Sequence, residues 1–330
     1  MTIVITEENG GKTIKELLSR KLSFSSGLIK KLKARENGIT VNGSFATVRY
    51  VLKAGDVLVL ADEDRPEDTS PYITPFDLPI GIAYEDSDVT VADKPAAMPA
   101  HPSFSHRDDT VANALAFRYS EKPYVFRPVN RLDGDTSGLM ITANNHLAAV
   151  KLGRAMIGGQ IGKMYIAVLS KAPAEEYGVI DLHMKRCADS IITRRTCDPD
   201  EEGARRAVTV FRRLFTDEIS GETCVIASPV TGRTHQLRVH FAAIGCPMVG
   251  DYLYGEVDPR IPRHALHAAY CSFPHPQSGD TVHVFSPLCP EVRALLGEDR
   301  AQSAEKALKE EATGTLRELY NKMKAEIPQK

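Results

Sequence analysis

A chain of 330 residues, 42% hydrophobic and 25% charged, is long enough for two domains and has the composition of an ordinary globular protein. No apolar run approaches the roughly 20 residues that span a bilayer as a helix, and the start lacks the basic and apolar regions of a secretory signal, so a cytoplasmic location away from membranes is expected. The six cysteines (Cys187, Cys197, Cys224, Cys246, Cys271 and Cys289) show no Cys-x-x-Cys pair and no Cys/His ligand spacing, which argues for reduced thiols and against structural zinc.

The net charge of -2 conceals a segregation. Ten basic residues face three acidic ones from Gly10 to Leu60, and five acids face one base from Ala61 to Thr69. A basic module followed by an acidic connector is an electrostatic footprint suited to phosphates. Within residues 1–60, Ile14, Leu17 and Leu18 predict one helix, and Leu28, Ile29 and Leu32 a second. Ile39-Thr40-Val41-Asn42-Gly43 predicts a strand ending in a hairpin turn, and Gly55-Asp56 opens the strand Val57 to Leu60. This order of elements resembles the S4-type RNA-binding domain, and Lys30, Lys31, Lys33 and Arg35, in and after the second helix, are the expected RNA contacts. The opening departs from that pattern, with Lys12-Thr13-Ile14-Lys15 in place of the usual Arg-Leu-Asp. Gly11-Lys12-Thr13 does not make a P-loop, because Thr6 stands where the motif needs its first glycine.

An acidic, proline-containing linker is expected over 61–80, a larger second domain over 81–296, and a charged helical extension over 297–330. The most informative stretch is Arg131-Leu132-Asp133-Gly134-Asp135-Thr136-Ser137-Gly138, followed by the apolar Leu139-Met140-Ile141. It sets a carboxylate at the mouth of a strand. An aspartate is already ionised at neutral pH and needs no base to activate it as a nucleophile. Asp135, Thr136 and Ser137 read as turn residues that bond their own backbone. A helix from Asn145 to Met156 and a buried strand from Lys163 to Leu169 follow. Thr223 to Ser228 predicts another strand. It leads into Thr231-Gly232-Arg233-Thr234-His235-Gln236-Leu237-Arg238-Val239-His240, read as a turn and a helix that carries Leu237, Phe241 and Ile244 inward and stops at Gly245.

From about Pro79 to Pro290 these motifs resemble the RluA-type RNA pseudouridine synthases, whose signature is Arg-Leu-Asp-x-x-Thr-Ser-Gly. The resemblance implies an α+β fold with a mixed, mainly antiparallel sheet and a cleft across it. It implies Asp133 as the group that attacks the target uridine, Tyr165 as the residue that stacks on the base and removes its C5 proton, and Arg233 as the partner of Asp133. It further implies Arg131 filling the space left by a flipped base, Leu266 as an apolar wall beneath it, and Lys163 in the Lys-x-Tyr motif. Arg238 reads as supporting the site or touching RNA, and His267 as a packed histidine. His235 and His240 are five apart, a poor metal-ligand spacing. Where many relatives carry His before Arg-Leu-Asp, this chain has Asn130, which has no acid–base chemistry.

The implied reaction isomerises uridine without oxidation or a departing group, so no cofactor and no metal are expected. Structured RNA is the expected partner, ribosomal RNA ahead of transfer RNA, for a monomeric enzyme. A haloacid-dehalogenase-type phosphotransferase would need its threonine one place beyond Thr136. A non-enzymatic RNA-binding or ribosome-assembly factor would be expected to have lost Asp133, Tyr165 or Arg233, and all three are present.

Overall fold

Local capping starts the N-terminal unit. The computed structural model describes residues 1–22, 24–61 and 64–327. Thr13 and Glu16 cap helix α1 (Ile14–Glu16) reciprocally, each side chain accepting from the other's backbone amide. A π-helical turn (Leu17–Lys21) follows, and Ser25 caps α2 (Ser26–Ala34) by accepting from the Leu28 amide. Strands β1 (Thr2–Val4), β2 (Ile39–Val41), β3 (Ser44–Phe45) and β4 (Val57–Leu60) form a sheet in the order β1-β4-β2-β3. Asn42 and Gly43 both take positive φ, 51° and 81°, as the predicted two-residue hairpin requires. Ile14, Leu17, Leu18, Ile39 and Leu58 fill the core between helices and sheet.

The acidic linker is consumed by contacts to both sides. Asp68 pairs with Arg35 and, at 3.3 Å, with Lys31, while Asp64 pairs with Arg127 of the larger domain. Arg35 is therefore not an RNA contact: it is 7% exposed and clamps the linker, because its reach from the end of α2 meets a carboxylate before it meets solvent. Lys30 and Lys33 remain exposed. Asp62 and Glu63, two of the acids in the predicted run, and residues 328–330 of the tail lie outside the described residues.

The larger sheet has ten strands: β5 (Gly81–Glu85), β6 (Val89–Lys94), β7 (Ser137–Ala143), β8 (Gly162–Leu169), β9 (Tyr177–Arg186), β10 (Arg194–Cys197), β11 (Arg205–Thr216), β12 (Thr223–Pro229), β13 (Leu266–Pro274) and β14 (Thr281–Phe285). Their order is β10-β9-β11-β12-β8-β13-β7-β6-β5, with β14 paired to β13. Every pairing is antiparallel except β7 with β13. The sheet is thus mixed and mainly antiparallel, and the fold is α+β. Helices α3 (Val111–Arg118), α4 (His146–Ile157), α5 (Gln236–Ala243), α6 (Pro290–Leu296), α7 (Glu298–Glu311) and α8 (Thr315–Ala325) cover it. Asn145 caps α4, accepting from the Ala148 amide at 2.8 Å. Leu147 and Val150 of α4 pack on the N-terminal unit, whose Lys21 carbonyl accepts from Arg154 at 3.0 Å.

Gly138 makes the single parallel pairing possible. Its φ is 108°, and a β-carbon there would lie 2.3 Å from the Ala268 carbonyl oxygen. Only glycine lets β7 approach β13 this closely, and that approach sets the Asp133 turn beside Leu266. Gly138→Ala should lower unfolding stability by more than about 1 kcal/mol. A urea midpoint equal to wild type would show that the strands separate without cost.

Two further expectations change. Ile244 is 40% exposed at the end of α5 rather than turned inward, because the helix ends at Ala243. The predicted C-terminal extension is helical, but it is part of the main core: Leu308, Leu316, Tyr320 and Met323 join the apolar cluster of β8, β11 and β12. Glu311, 4% exposed, ties the two helices to the sheet, accepting from Tyr177, Arg212 and the Leu316 amide at 2.8, 2.9 and 2.6 Å.

Candidate active site

The centre of the sheet builds one cleft. β13 pairs on one side with β7 and on the other with β8, and β12 lies beyond β8. The turn before β7 carries Asp133, β8 carries Lys163 and Tyr165, β13 opens on Leu266, and the segment after β12 carries Arg233 and His235. All six line one open cavity of about 880 Å³, with Arg131 at its exposed edge. That volume is in the upper part of the range for small-molecule sites, roughly 300–1,000 Å³.

The Asp133 turn is held from three directions. The Asp133 carbonyl accepts from the Thr136 amide at 3.1 Å, closing the turn. Lys94, at the end of β6 and 1% exposed, donates to the carbonyls of Gly134, Met98 and Pro95 at 2.7, 2.8 and 2.9 Å. Burial, then the Arg263 charge, pull its pKa down to about 7, whereas three carbonyl acceptors require all three protons of the ammonium form. Arg263, 4% exposed, donates to the Asp135 carbonyl and the Ser137 hydroxyl, both at 3.1 Å. His264 and His267 meet the hydroxyls of Thr136 and Ser137 at 2.7 and 2.9 Å. The threonine and serine of the motif are thus anchoring residues. Asn130 is one too: its Oδ1 accepts from the Ile141 amide at 2.8 Å, a task that needs an acceptor and no titration.

Asp133 keeps 27% of its side chain exposed, so the carboxylate meets solvent in the cavity. Its nearest side-chain neighbour of the ion-pair type is not the expected Arg233 but a histidine whose charged form burial disfavours. Arg233 is exposed and donates through Nε to the Arg206 carbonyl at 3.2 Å. The place beside Asp133 is taken by His235, whose Nε2 lies 4.0 Å from the carboxylate. His235 adopts a left-handed backbone, φ 56°, and its Nδ1 meets the Tyr254 hydroxyl at 2.8 Å. The sequence reading weighed His235 only as a metal ligand. A bulky residue at the junction of turn and helix, ahead of a Tyr-Gly turn, was the available signal.

Arg238 lies on α5. It is 3% exposed and donates bidentately to the buried Asp251 at 2.8 and 2.6 Å, with its guanidinium over the Tyr254 ring. Two of its donors are turned to Asp251, so it supports the site, and it also lines the cavity. Lys163 is half-buried on the cavity wall, its pKa lowered by burial and then by the charge of Lys324. Tyr165 is 8% exposed; burial, then the charge of Asp133, push its phenol pKa up. The resting phenol is protonated and must shed that proton before it accepts one from C5, so this geometry supports the stacking half of its assignment. Leu266 and Leu132 pack around the same ring.

Among the described residues one cluster offers metal-ligand geometry: atoms of Asp86, Asp88 and His275 lie within 4.8 Å of one another. It is outside the cavity, and Asp86 already accepts from Tyr84, His275 and two backbone amides.

Three buried histidines make the domain acid-sensitive. Burial is the main cause that lowers His240 and His267 to about 4 and His264 to about 3. An unfolded histidine titrates near 6.5. Above that pH neither state binds the proton, and the stability is intact. As pH falls from about 6.5 to 4 only the unfolded chain gains these protons, so each histidine removes up to about 1.4 kcal/mol per pH unit. Urea midpoints should therefore drop steeply over this window. A flat profile would contradict the buried, neutral assignment.

The family model described as RNA pseudouridylate synthase matches residues 88–243, which include the Asp133, Tyr165 and Arg233 motifs. The uncharacterized RNA pseudouridine synthase YjbO of Bacillus subtilis is 34% identical over 286 residues, 86% of this chain and 98% of that protein. Ribosomal large subunit pseudouridine synthase D of Xanthomonas campestris is 32% identical over 294 residues, 78% of this chain and 86% of that one. The solved human RNA pseudouridylate synthase domain containing 1 superposes with a TM-score of 0.55 at 29% identity, covering 69% of this chain and 95% of its own. The chain belongs to the RNA pseudouridine synthase family. It is an isomerase that converts uridine in RNA to pseudouridine.

Proposed function

We propose that the cleft receives a uridine turned out of a structured ribosomal RNA and that Asp133 attacks it. The carrying observation is that Asp133, Tyr165 and Leu266 line a single cavity while Asp133 stays solvent-accessible. In this reading the base lies between the Tyr165 ring and Leu266, and Arg131 fills the gap in the RNA stack. Extraction costs a few kcal/mol, offset by stacking and edge contacts in the pocket. Asp133 drives cleavage of the bond between C1′ and N1, by direct attack on C1′ or by stabilising the positive charge that develops there. The base turns, C5 bonds to C1′, the proton on C5 departs, and N1 gains one, so no group is lost. Arg233, at the exposed rim, is placed for a backbone phosphate rather than for Asp133.

The S4-like unit, with Lys30 and Lys33 outward, supplies nonspecific grip on the same RNA. Ribosomal RNA is favoured by that unit and by the name of the Xanthomonas relative. Pseudouridine mapping in a deletion strain, its parent and a complemented strain tests the reading. It predicts ribosomal positions that disappear and return. Losses confined to transfer RNA would overturn the substrate assignment.

A further inference from the structure

We propose that the C-terminal helix α8 forms part of the RNA cleft, and that Lys324 together with Lys163 makes a subsite for a backbone phosphodiester flanking the target nucleotide. Tyr320, Lys324 and Ile327 line the same cavity as Asp133 and Tyr165. Lys324 crosses the end of α4 at a point where there is no side chain. A β-carbon at Gly159 would lie 1.9 Å from Lys324 Cε and 2.7 Å from its Nζ. Gly159 takes a left-handed φ of 68°, so a glycine there satisfies the turn and opens the passage for the lysine stem.

The helix that carries Lys324 is fixed in place. Leu316, Tyr320 and Met323 are buried in the main core, and the Arg317 guanidinium stacks over the Tyr320 ring at 5.0 Å. Lys324 is the strongest charge acting on Lys163 and works with burial to disfavour its ammonium form. Among the described residues neither amine has a carboxylate within ion-pair distance. Both amines line the same open cavity, and an anion lying between them would favour the protonated form of each and offset their mutual repulsion. An RNA strand passing the cleft brings a phosphodiester at each nucleotide.

This subsite rests on the RNA-modifying reading of the cleft, and a binding assay separates the two. The full chain with Asp133→Asn would be titrated with a labelled oligouridylate of about 16 nucleotides across a salt series. Lys324→Gln, which keeps most of the stem over Gly159, should weaken binding about fivefold and flatten the log–log salt slope by about 0.7 to 1. Lys324→Arg should restore both. Lys322→Ala, an equal loss of charge on the outer side of the same helix, should leave both unchanged. Wild-type affinity and slope for Lys324→Gln, or an equal loss from Lys322→Ala, would overturn the proposal. Wild-type protein that binds through Lys324 but isomerises no uridine in any cellular RNA would instead overturn the catalytic reading of Asp133 and leave the subsite standing.

Discussion

Asp133→Asn is expected to cut pseudouridine formation at saturating RNA by at least about 10³-fold, with RNA affinity held within a few fold of wild type. The substitution changes charge and almost nothing else. The turn is held through backbone carbonyls and through Thr136 and Ser137, none of which the substitution alters: Lys94 donates to Gly134, Arg263 to Asp135 and Ser137, and Thr136 to the residue 133 carbonyl. An amide in the same position lacks the negative charge needed to attack C1′ or to stabilise positive charge developing there. Single-turnover conversion with filter binding checks both halves. Conversion within tenfold of wild type would remove Asp133 from the chemistry, and a collapse of affinity would mean that the turn, not the charge, was lost.

Arg238→Met is expected to cost about 3–5 kcal/mol of stability, because it strands a buried carboxylate. Asp251 is fully buried and receives two guanidinium hydrogen bonds, with the amides of Leu253 and Tyr254 at 3.1 and 3.2 Å as its other donors. The damage should reach the cleft. Tyr254 rests against Arg238 and holds His235, which faces Asp133. Removing both charges together, as Arg238→Met with Asp251→Leu, should recover a large part of the stability, since no uncompensated charge remains. Urea unfolding of the single and double variants decides this, and a single variant within about 1 kcal/mol of wild type would show that water reaches Asp251.

The parts of the site legible in the sequence are those fixed by strand ends. Asp133 and Tyr165 sit at or in strands whose apolar runs were readable, Leu266 followed only from the family resemblance, and the sheet brings all three to one cavity. What depended on long, flexible side chains was not legible. Arg233 and Arg35 are each near several acceptors, and the choice of partner is made by tertiary packing: the Arg206 carbonyl for one, Asp68 for the other. Counting charges along residues 10–60 could not reveal that Arg35 and Lys31 are drawn to the linker. Lys94 and Arg263 escaped notice for a related reason. A buried cation reads in sequence like a surface one until its acceptors are in place.

The same limit applies to secondary structure. β1 was not predicted, since three residues with Val4 64% exposed carry no alternation to detect. The apolar positions of the last two helices were visible, but only their burial against β8, β11 and β12 makes them core. Periodicity reveals which face of a helix is apolar and nothing about what covers it.

The most direct test is a crystal structure of the full chain with RNA carrying 5-fluorouridine at the mapped target, where fluorine at C5 blocks loss of the proton from that carbon. The account predicts the base outside its helix, stacked on Tyr165 above Leu266, with C1′ in reach of an Asp133 oxygen, about 3.5 Å or bonded to it. A base still within its RNA helix, or one docked in the cavity with C1′ turned away from Asp133, would contradict it.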